Sequence, residues 1–237
     1  MTKRYWYVIL TYIIMQFSGI LFAPILFATL PISEFQAVIY WTIFSFTAGM
    51  IVILIIMKPY MKAPTARDAA KPGSIVLWIV AGVFMAYIAQ YIAATIEIQL
   101  LGIESGSANT QQIIDITRAA PIFMIIPALI APIVEEIIFR KIIFGNFYKR
   151  MNFFLAALLS ALVFGIIHGE PQHILIYSSM GFVFAYLYVK TKRILVPIFV
   201  HMALNSISVL VQLSLSPEDI ERLQKKAETL QMILIGG

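Results

Sequence analysis

Seven long stretches of this chain contain no charged side chain: Tyr5–Ser33, Phe35–Met57, Ser74–Ile96, Ala119–Val134, Met151–Ile167, Ile174–Val189 and Ile194–Pro217. A helix needs roughly 20 apolar residues to cross a bilayer. Only helices and closed barrels satisfy every backbone polar group within lipid. The expectation is an all-α polytopic transmembrane helix bundle of about seven spans, with an eighth allowed if a segment re-enters or the C-terminus folds back. Composition agrees. Hydrophobic residues make up 61% of the 237 and charged residues 12%, about half the share of charge in a soluble domain. One small core could not bury that much apolar surface. The length suits a single membrane-embedded domain over residues 1–237.

The charges sit between the apolar runs. Lys3 and Arg4, the loop with Lys58, Lys62, Arg67 and Lys71, the pair Lys149 and Arg150, and the turn with Lys190, Lys192 and Arg193 fall on one side of such a bundle. The other loops hold Glu34, Glu97, Glu104, Asp115 and Glu170, with Arg118 as their one basic residue. By the positive-inside rule the N-terminus is cytoplasmic. The net charge of +5 is therefore written as topology, and no nucleic-acid partner is expected. Lys3 and Arg4 could open a signal peptide, but the following apolar run is too long for one and no small-residue cleavage site follows. With no cysteine, disulfides and thiolate chemistry are excluded.

Two segments read as interfacial. Residues 107–119 follow a Ser/Asn/Thr cluster and place Ile113, Ile114 and Ile116 near one face. Further on, Ser216-Pro217-Glu218-Asp219 is a helix start, with a capping hydroxyl, proline at the first helical position and acids in the first turn. Ile220, Leu223, Ala227 and Leu230 continue it as an apolar stripe, which predicts a surface-lying helix over about 217–234.

Chemistry concentrates in three places. In Val134-Glu135-Glu136-Ile137-Ile138-Phe139-Arg140, two adjacent carboxylates interrupt an apolar run, and intramembrane charges mark function. Arg140, four residues after Glu136, shares its face and can pair with it. Glu135 is rotated roughly 100° away and has no partner on its own helix. An apolar site beside a second acid is the environment that makes a carboxylate basic enough to serve as a general base. A salt-bridged cluster that only orients the helix would also account for these charges. The second place is Phe164-Gly165-Ile166-Ile167-His168. Ala157, Ala161 and Gly165 recur every four residues and allow a close helix neighbour, while Ser160, Phe164 and His168 share an adjoining face. The third is His201-Met202-Ala203-Leu204-Asn205. There His201 and Asn205 project from one face and can donate to a developing oxyanion or serve as hydrogen-bonding glue between helices. The remaining histidine, His173, reads as a headgroup-level residue at the start of a span.

Glu-Glu-x-x-x-Arg, then Phe-x-x-x-His, then His-x-x-x-Asn, in that order over roughly residues 119–213, resembles the CPBP family, the CAAX-protease and bacteriocin-processing (Abi) membrane proteins. The resemblance implies an intramembrane endopeptidase acting on membrane-associated peptides or proteins. By it, Glu135 matches the glutamate that activates the attacking water, and Glu136 and Arg140 match its supporting acid and basic partner. His168 matches the histidine that helps hold the water, and His201 and Asn205 match the oxyanion-stabilising pair. None of these positions departs from the family's pattern. A non-catalytic regulator or bacteriocin-immunity protein keeping the same fold is the alternative, although such a protein would be expected to lose these residues. A transporter using the buried acids as a proton relay would more often show an internal repeat, and none is present.

Glu135, His168 and His201 also suit a two-histidine, one-carboxylate zinc site with water as fourth ligand. No H-E-x-x-H occurs, and the expectation is a metal-free mechanism with no cofactor, zinc being the alternative. One difficulty is geometric. Counted from the basic side, Glu135 and His168 lie roughly 22 Å deep but His201 only about 12 Å. Either the earlier helices project past the lipid or Pro197 shifts the last one.

Overall fold

The computed structural model describes residues 1–61 and 68–215, together with Glu218, Asp219, Arg222, Lys225 and Lys226. Most of the surface helix expected over 217–234 lies outside the described residues. Within them the chain is helical, with no strand.

The first apolar run forms α1 (Lys3–Phe17) and α2 (Gly19–Thr29), bent by 45° at Ser18-Gly19. A Ser/Gly pair is a common site for a kink, because it resists bending least. Trp41 on α3 (Glu34–Met61) holds the bend: its Nε1 donates to Ser18 Oγ at 3.0 Å and its ring stacks on Phe22 at 4.6 Å. Next comes α4 (Pro72–Thr95), which ends in a π turn over Ile96–Leu100. The short amphipathic α5 (Ala108–Ala119) follows, its Ser107 cap accepting from the Thr110 N–H. The long span α6 (Pro121–Phe147) is the most enclosed element, with 61% of its apolar window buried against 11% for α4. Around it stand α7 (Phe153–Ile167), α8 (Ile174–Thr191, entered by a 3₁₀ turn at Pro171–His173) and α9 (Leu195–Ser214). The outward faces of α1 to α4 expose Ile20, Leu21, Leu77 and Phe84, as lipid allows and water would not.

Among the described residues five helices are long and apolar enough to cross a membrane, and six if the bent α1–α2 pair counts as one span. With α7 the count would reach the expected seven: Asn152 caps it at one end, Gly169 (φ +74°) lies just past the other, and its 15 residues are short for a full crossing. The fold remains an all-α polytopic bundle, and α7 occupies the place of the expected fifth span.

Small residues set the interhelical distances. The seam of Ala157, Ala161 and Gly165 packs on α8 as its spacing predicts. A Cβ built on Gly181 would lie 3.0 Å from Ala161 Cβ and 3.1 Å from its Cα, and one on Gly165 would lie 3.1 Å from Ile174. At Gly82 of α4 the same space is filled by Leu187 and Val200.

Charge sorts the two ends of the bundle. At one end Thr2 meets Tyr60, the Ala70 N–H donates to Thr191 O, Arg193 Nε donates to Ala70 O, and Lys192 pairs with Asp68. At the other, Glu97 and Glu170 tie helix ends together. Among the described residues the segments flanking Lys3, Lys58, Lys71 and Lys192 thus meet at the first end.

Candidate active site

The site begins with irregular winding in α6. Pro127 and Pro132 have no N–H to give the helical ladder. Around them the chain winds as a π turn over Ile126–Ile130, and the Ala131 N–H reaches back to Ile126 O. The Pro127 carbonyl is thereby left without a helical partner, since the next candidate donor is Pro132. Asn205 Nδ2 fills that gap from α9 at 2.9 Å. A second π stretch runs over Ile137–Phe144, directly after the glutamates. Such turns take more residues per turn and gather at functional sites. Just before this stretch, Glu136 meets His201 of α9 at 3.0 Å. Pro197 does not shift α9. It lies in the first turn of a continuous helix, where an N–H would have no intrahelical partner anyway.

Glu136 is fully buried and lies between two partners. Its Oε1 is 3.0 Å from His201 Nδ1, and its Oε2 is 3.0 Å from Arg140 Nε. The contact with Arg140 is a close ion pair but off the line of a hydrogen bond. Among the described residues the guanidinium nitrogens find no hydrogen-bond acceptor. Instead the group sits among three rings, with Phe164 at 4.5 Å, Phe184 at 5.0 Å and Phe139 at 5.9 Å from its carbon, close enough for cation–π attraction to offset lost hydration.

Glu135 points elsewhere. It lines a cavity of about 700 Å³ together with His168, His201 and Asn205, and its Oε2 is 3.8 Å from His201 Nε2. The rotation between adjacent helical residues thus separates the two acids as the spacing predicts. His201 is anchored through Nδ1, which donates to the Glu136 carboxylate, stacks on Phe184 at 5.0 Å, and turns Nε2 toward Glu135. His168 lies just past the end of α7, and its Nδ1 is 2.7 Å from the Phe164 carbonyl. A carbonyl can only accept, so Nδ1 carries the hydrogen and Nε2 of the neutral ring is left as an acceptor. The Phe164 ring is 4.5 Å from His168 and 5.9 Å from His201, which places both histidines about one buried phenylalanine. All six expected site residues therefore converge, four on the cavity and two directly behind it.

Sequence reasoning missed several contributors. Tyr177 of α8 stacks on His168 at 4.1 Å, and its hydroxyl donates to Glu170 at 2.5 Å. Glu170 also accepts from Ser107 Oγ at 2.7 Å and the Asn109 N–H at 3.2 Å. This clasp holds the start of α5 over the cavity, which Asn109, Thr110 and Ile113 help to line. Burial alone would push the Glu170 carboxyl up, but these donors outweigh it and hold the group below its ordinary value. Arg118 secures the other end of α5, donating to the carbonyls of Gln212 and Leu215 at the end of α9. Tyr12 and Gln16 reach the cavity from α1. Their spacing of four within a charge-free run was the available signal.

His173 is buried, with Nδ1 2.9 Å from Glu97 Oε2, while Glu97 Oε1 accepts from the Leu175 and Ile176 N–H groups at the start of α8. An acidic residue there meets both an imidazole and the positive end of a helix. Among the described residues, no three or more His, Cys, Asp or Glu side chains are grouped to hold a metal ion. The Nδ1 atoms of His168 and His201 already have partners within the protein.

A family model described as type II CAAX prenyl endopeptidase Rce1-like matches residues 117–207. The chain is 43% identical over 246 residues to the putative membrane peptidase YdiL of Bacillus subtilis, covering 100% of this chain and 99% of the other. It is 33% identical over 249 residues to the membrane-embedded CAAX protease MroQ of Staphylococcus aureus, covering 98% and 99%. A shorter similarity, 26% over 133 residues, links it to the UPF0177 protein YxdF of Lactococcus lactis. No solved structure matches the chain significantly.

Proposed function

The chain belongs to the Rce1-like family of CAAX-type membrane endopeptidases, and on that premise we propose that it hydrolyses membrane-associated peptides or proteins with water activated by Glu135. The protein is a multi-pass membrane peptidase.

A water held between Glu135 and His168 Nε2 gives a proton to the Glu135 carboxylate as its oxygen attacks the peptide carbonyl carbon. The carbonyl oxygen becomes an oxyanion. The second N–H of Asn205, whose first is bound to Pro127 O, faces that charge, and His201 as an imidazolium, its Nδ1–H held by Glu136, adds an Nε2–H. On collapse the C–N bond breaks and the leaving amine takes the proton from Glu135. Glu136, Arg140 and the aromatic rings keep His201 in place. In this reading no step is routed through a metal. The substrate enters as an extended segment against the neutral polar wall of Gln16, Gln90, Asn109 and Gln212. In this reading the N-terminus and the basic loops face the cytoplasm, and the whole chain acts as one domain.

The observation that carries the proposal is the division of labour between adjacent acids: Glu136 is paired with Arg140 and His201, leaving Glu135 to the cavity. The experiment is Glu135→Gln in purified full-length protein. Cleavage should vanish while the thermal transition persists, and full activity in this variant would remove Glu135 from the base role.

A further inference from the structure

His168 stands at the open end of its helix. It lies one residue past α7, and Gly169 (φ +74°) then turns the chain away through open space. The bond between Nδ1 and the Phe164 carbonyl fixes one ring atom. The ring can still turn about that bond, and the turn would swing Nε2 off the water. What sets the plane is the face of Tyr177, stacked on His168 at 4.1 Å with 25° between the rings, whereas the Phe164 ring is tilted by 60°.

Tyr177 is itself tied down from outside α8. Its hydroxyl has one proton and gives it to Glu170 Oε2 at 2.5 Å. The same oxygen accepts from Ser107 Oγ at 2.7 Å, and Oε1 accepts from the Asn109 N–H at 3.2 Å. Ser107 Oγ also caps α5, accepting from the Thr110 N–H at 3.0 Å. Glu170 is buried, so its oxygens depend on these donors. One carboxylate therefore joins the start of α5, which helps to line the cavity, to the ring that faces His168. A site is held in its productive geometry by packing and hydrogen bonds of this kind around the groups that react.

We propose that Tyr177 is a positioning residue: its ring sets the plane of His168, and its bond to Glu170 makes that plane depend on the seating of α5. The inference rests on His168 holding the attacking water. Under it the water is aimed only while α5 is docked, so that lifting α5 from the cavity and aiming the water exclude one another.

The test uses full-length protein in lipid vesicles, as wild type, Tyr177→Phe, Tyr177→Leu, Ser107→Ala and His168→Gln. The probe for turnover is an internally quenched peptide carrying a lipid anchor. Tyr177→Phe keeps the ring and removes only its tether, while Ser107 and Asn109 stay on Glu170. It should lower kcat about tenfold with KM unchanged, as a misplaced catalytic group does. Tyr177→Leu removes the stacked face as well and should lower kcat further. Ser107→Ala leaves both rings intact but removes the α5 cap and one donor to Glu170, and it should lower kcat too. A second readout needs no substrate. Histidine-labelled protein in detergent gives three sets of ring resonances in nuclear magnetic resonance spectra, one for each of the three histidines, and the set absent from His168→Gln belongs to His168. The stacked face shifts that set in the wild type, and in Tyr177→Phe and Ser107→Ala it should move in the same direction, toward the unstacked position. Wild-type kcat in Tyr177→Phe, a change in KM alone, or unmoved His168 resonances in either variant would overturn the inference. Full activity in His168→Gln would instead sink the reading of His168 as the residue that holds the water.

Discussion

The ion pair behind the site allows a prediction in which two substitutions of one contact differ in consequence. Removing one member of a buried pair costs about 3–5 kcal/mol, chiefly because the other is left charged and unsolvated. Here the survivors are not equivalent. In Arg140→Leu, Glu136 keeps His201 at 3.0 Å, so the loss should lie near the lower end, about 3 kcal/mol. In Glu136→Leu, Arg140 keeps three aromatic faces but no hydrogen-bond acceptor, and only the attraction of the neighbouring Glu135. That loss should approach about 5 kcal/mol. For a chain of this size, about 2–4 °C per kcal/mol translates these into drops in Tm of about 6–12 °C and 10–20 °C. The double variant Glu136→Leu/Arg140→Leu buries no charge in that place and should be more stable than either single one. Activity should separate along a different line: Arg140→Leu keeps the His201 anchor and part of the turnover, whereas both variants lacking Glu136 lose it. The assay is thermal unfolding in detergent followed by intrinsic fluorescence, with cleavage rates alongside. A larger loss in Arg140→Leu than in Glu136→Leu, or a double variant weaker than both, would refute the reasoning.

Asn205→Ala should lower kcat by about a hundredfold with little change in KM, and a KM effect alone would place Asn205 in substrate binding instead. Gly181→Ala forces a Cβ to 3.0 Å from Ala161 Cβ and 3.1 Å from its Cα. It should cost about 1–3 kcal/mol through separation of α7 and α8, read as a lower Tm. Glu170 is held below its ordinary value of 4.5, so its contribution to stability is complete above that value and is lost as pH falls through its depressed folded value. Hydrogen exchange across residues 108–119 should therefore rise only on the acid side, and Glu170→Gln should abolish that pH dependence. Chelator treatment should leave cleavage intact, and activity lost to a chelator and restored by zinc would move Glu135, His168 and His201 into ligand roles.

Much of the molecule is legible in the order of its residues. Hydrophobic runs need lipid or a large core, so Tyr5–Ser33 through Ile194–Pro217 declare a membrane bundle without further information. The lengths are less secure. A run of apolar residues ends at its last apolar side chain, but a helix ends where its carbonyls lose their partners. Between Asn152 and Gly169 that leaves α7 short for a full crossing. The bend at Ser18 and the burial of His173 are hidden for a related reason, since each depends on a neighbour, Trp41 in one case and Glu97 in the other, distant along the chain.

Helical periodicity by itself separates Glu135 from Glu136, pairs Glu136 with Arg140, puts His201 and Asn205 on one face, and marks Ala157, Ala161 and Gly165 as a seam. These are relations within one helix, and 3.6 residues per turn settles them. The relations between helices are decided only by the folded chain. His201 takes Glu136 rather than a lipid headgroup because α6 and α9 pack with the two side chains 3.0 Å apart. Asn205 faces Pro127 because two prolines leave that carbonyl unpartnered. Arg140 is tolerated in the interior because three phenylalanines from three helices meet around it, and Tyr12 reaches the site because Ser45 and Gly49 let α3 press α1 inward against α6. Each of these is a contact between residues far apart in sequence, where backbone periodicity carries no information and only packing sets the distance.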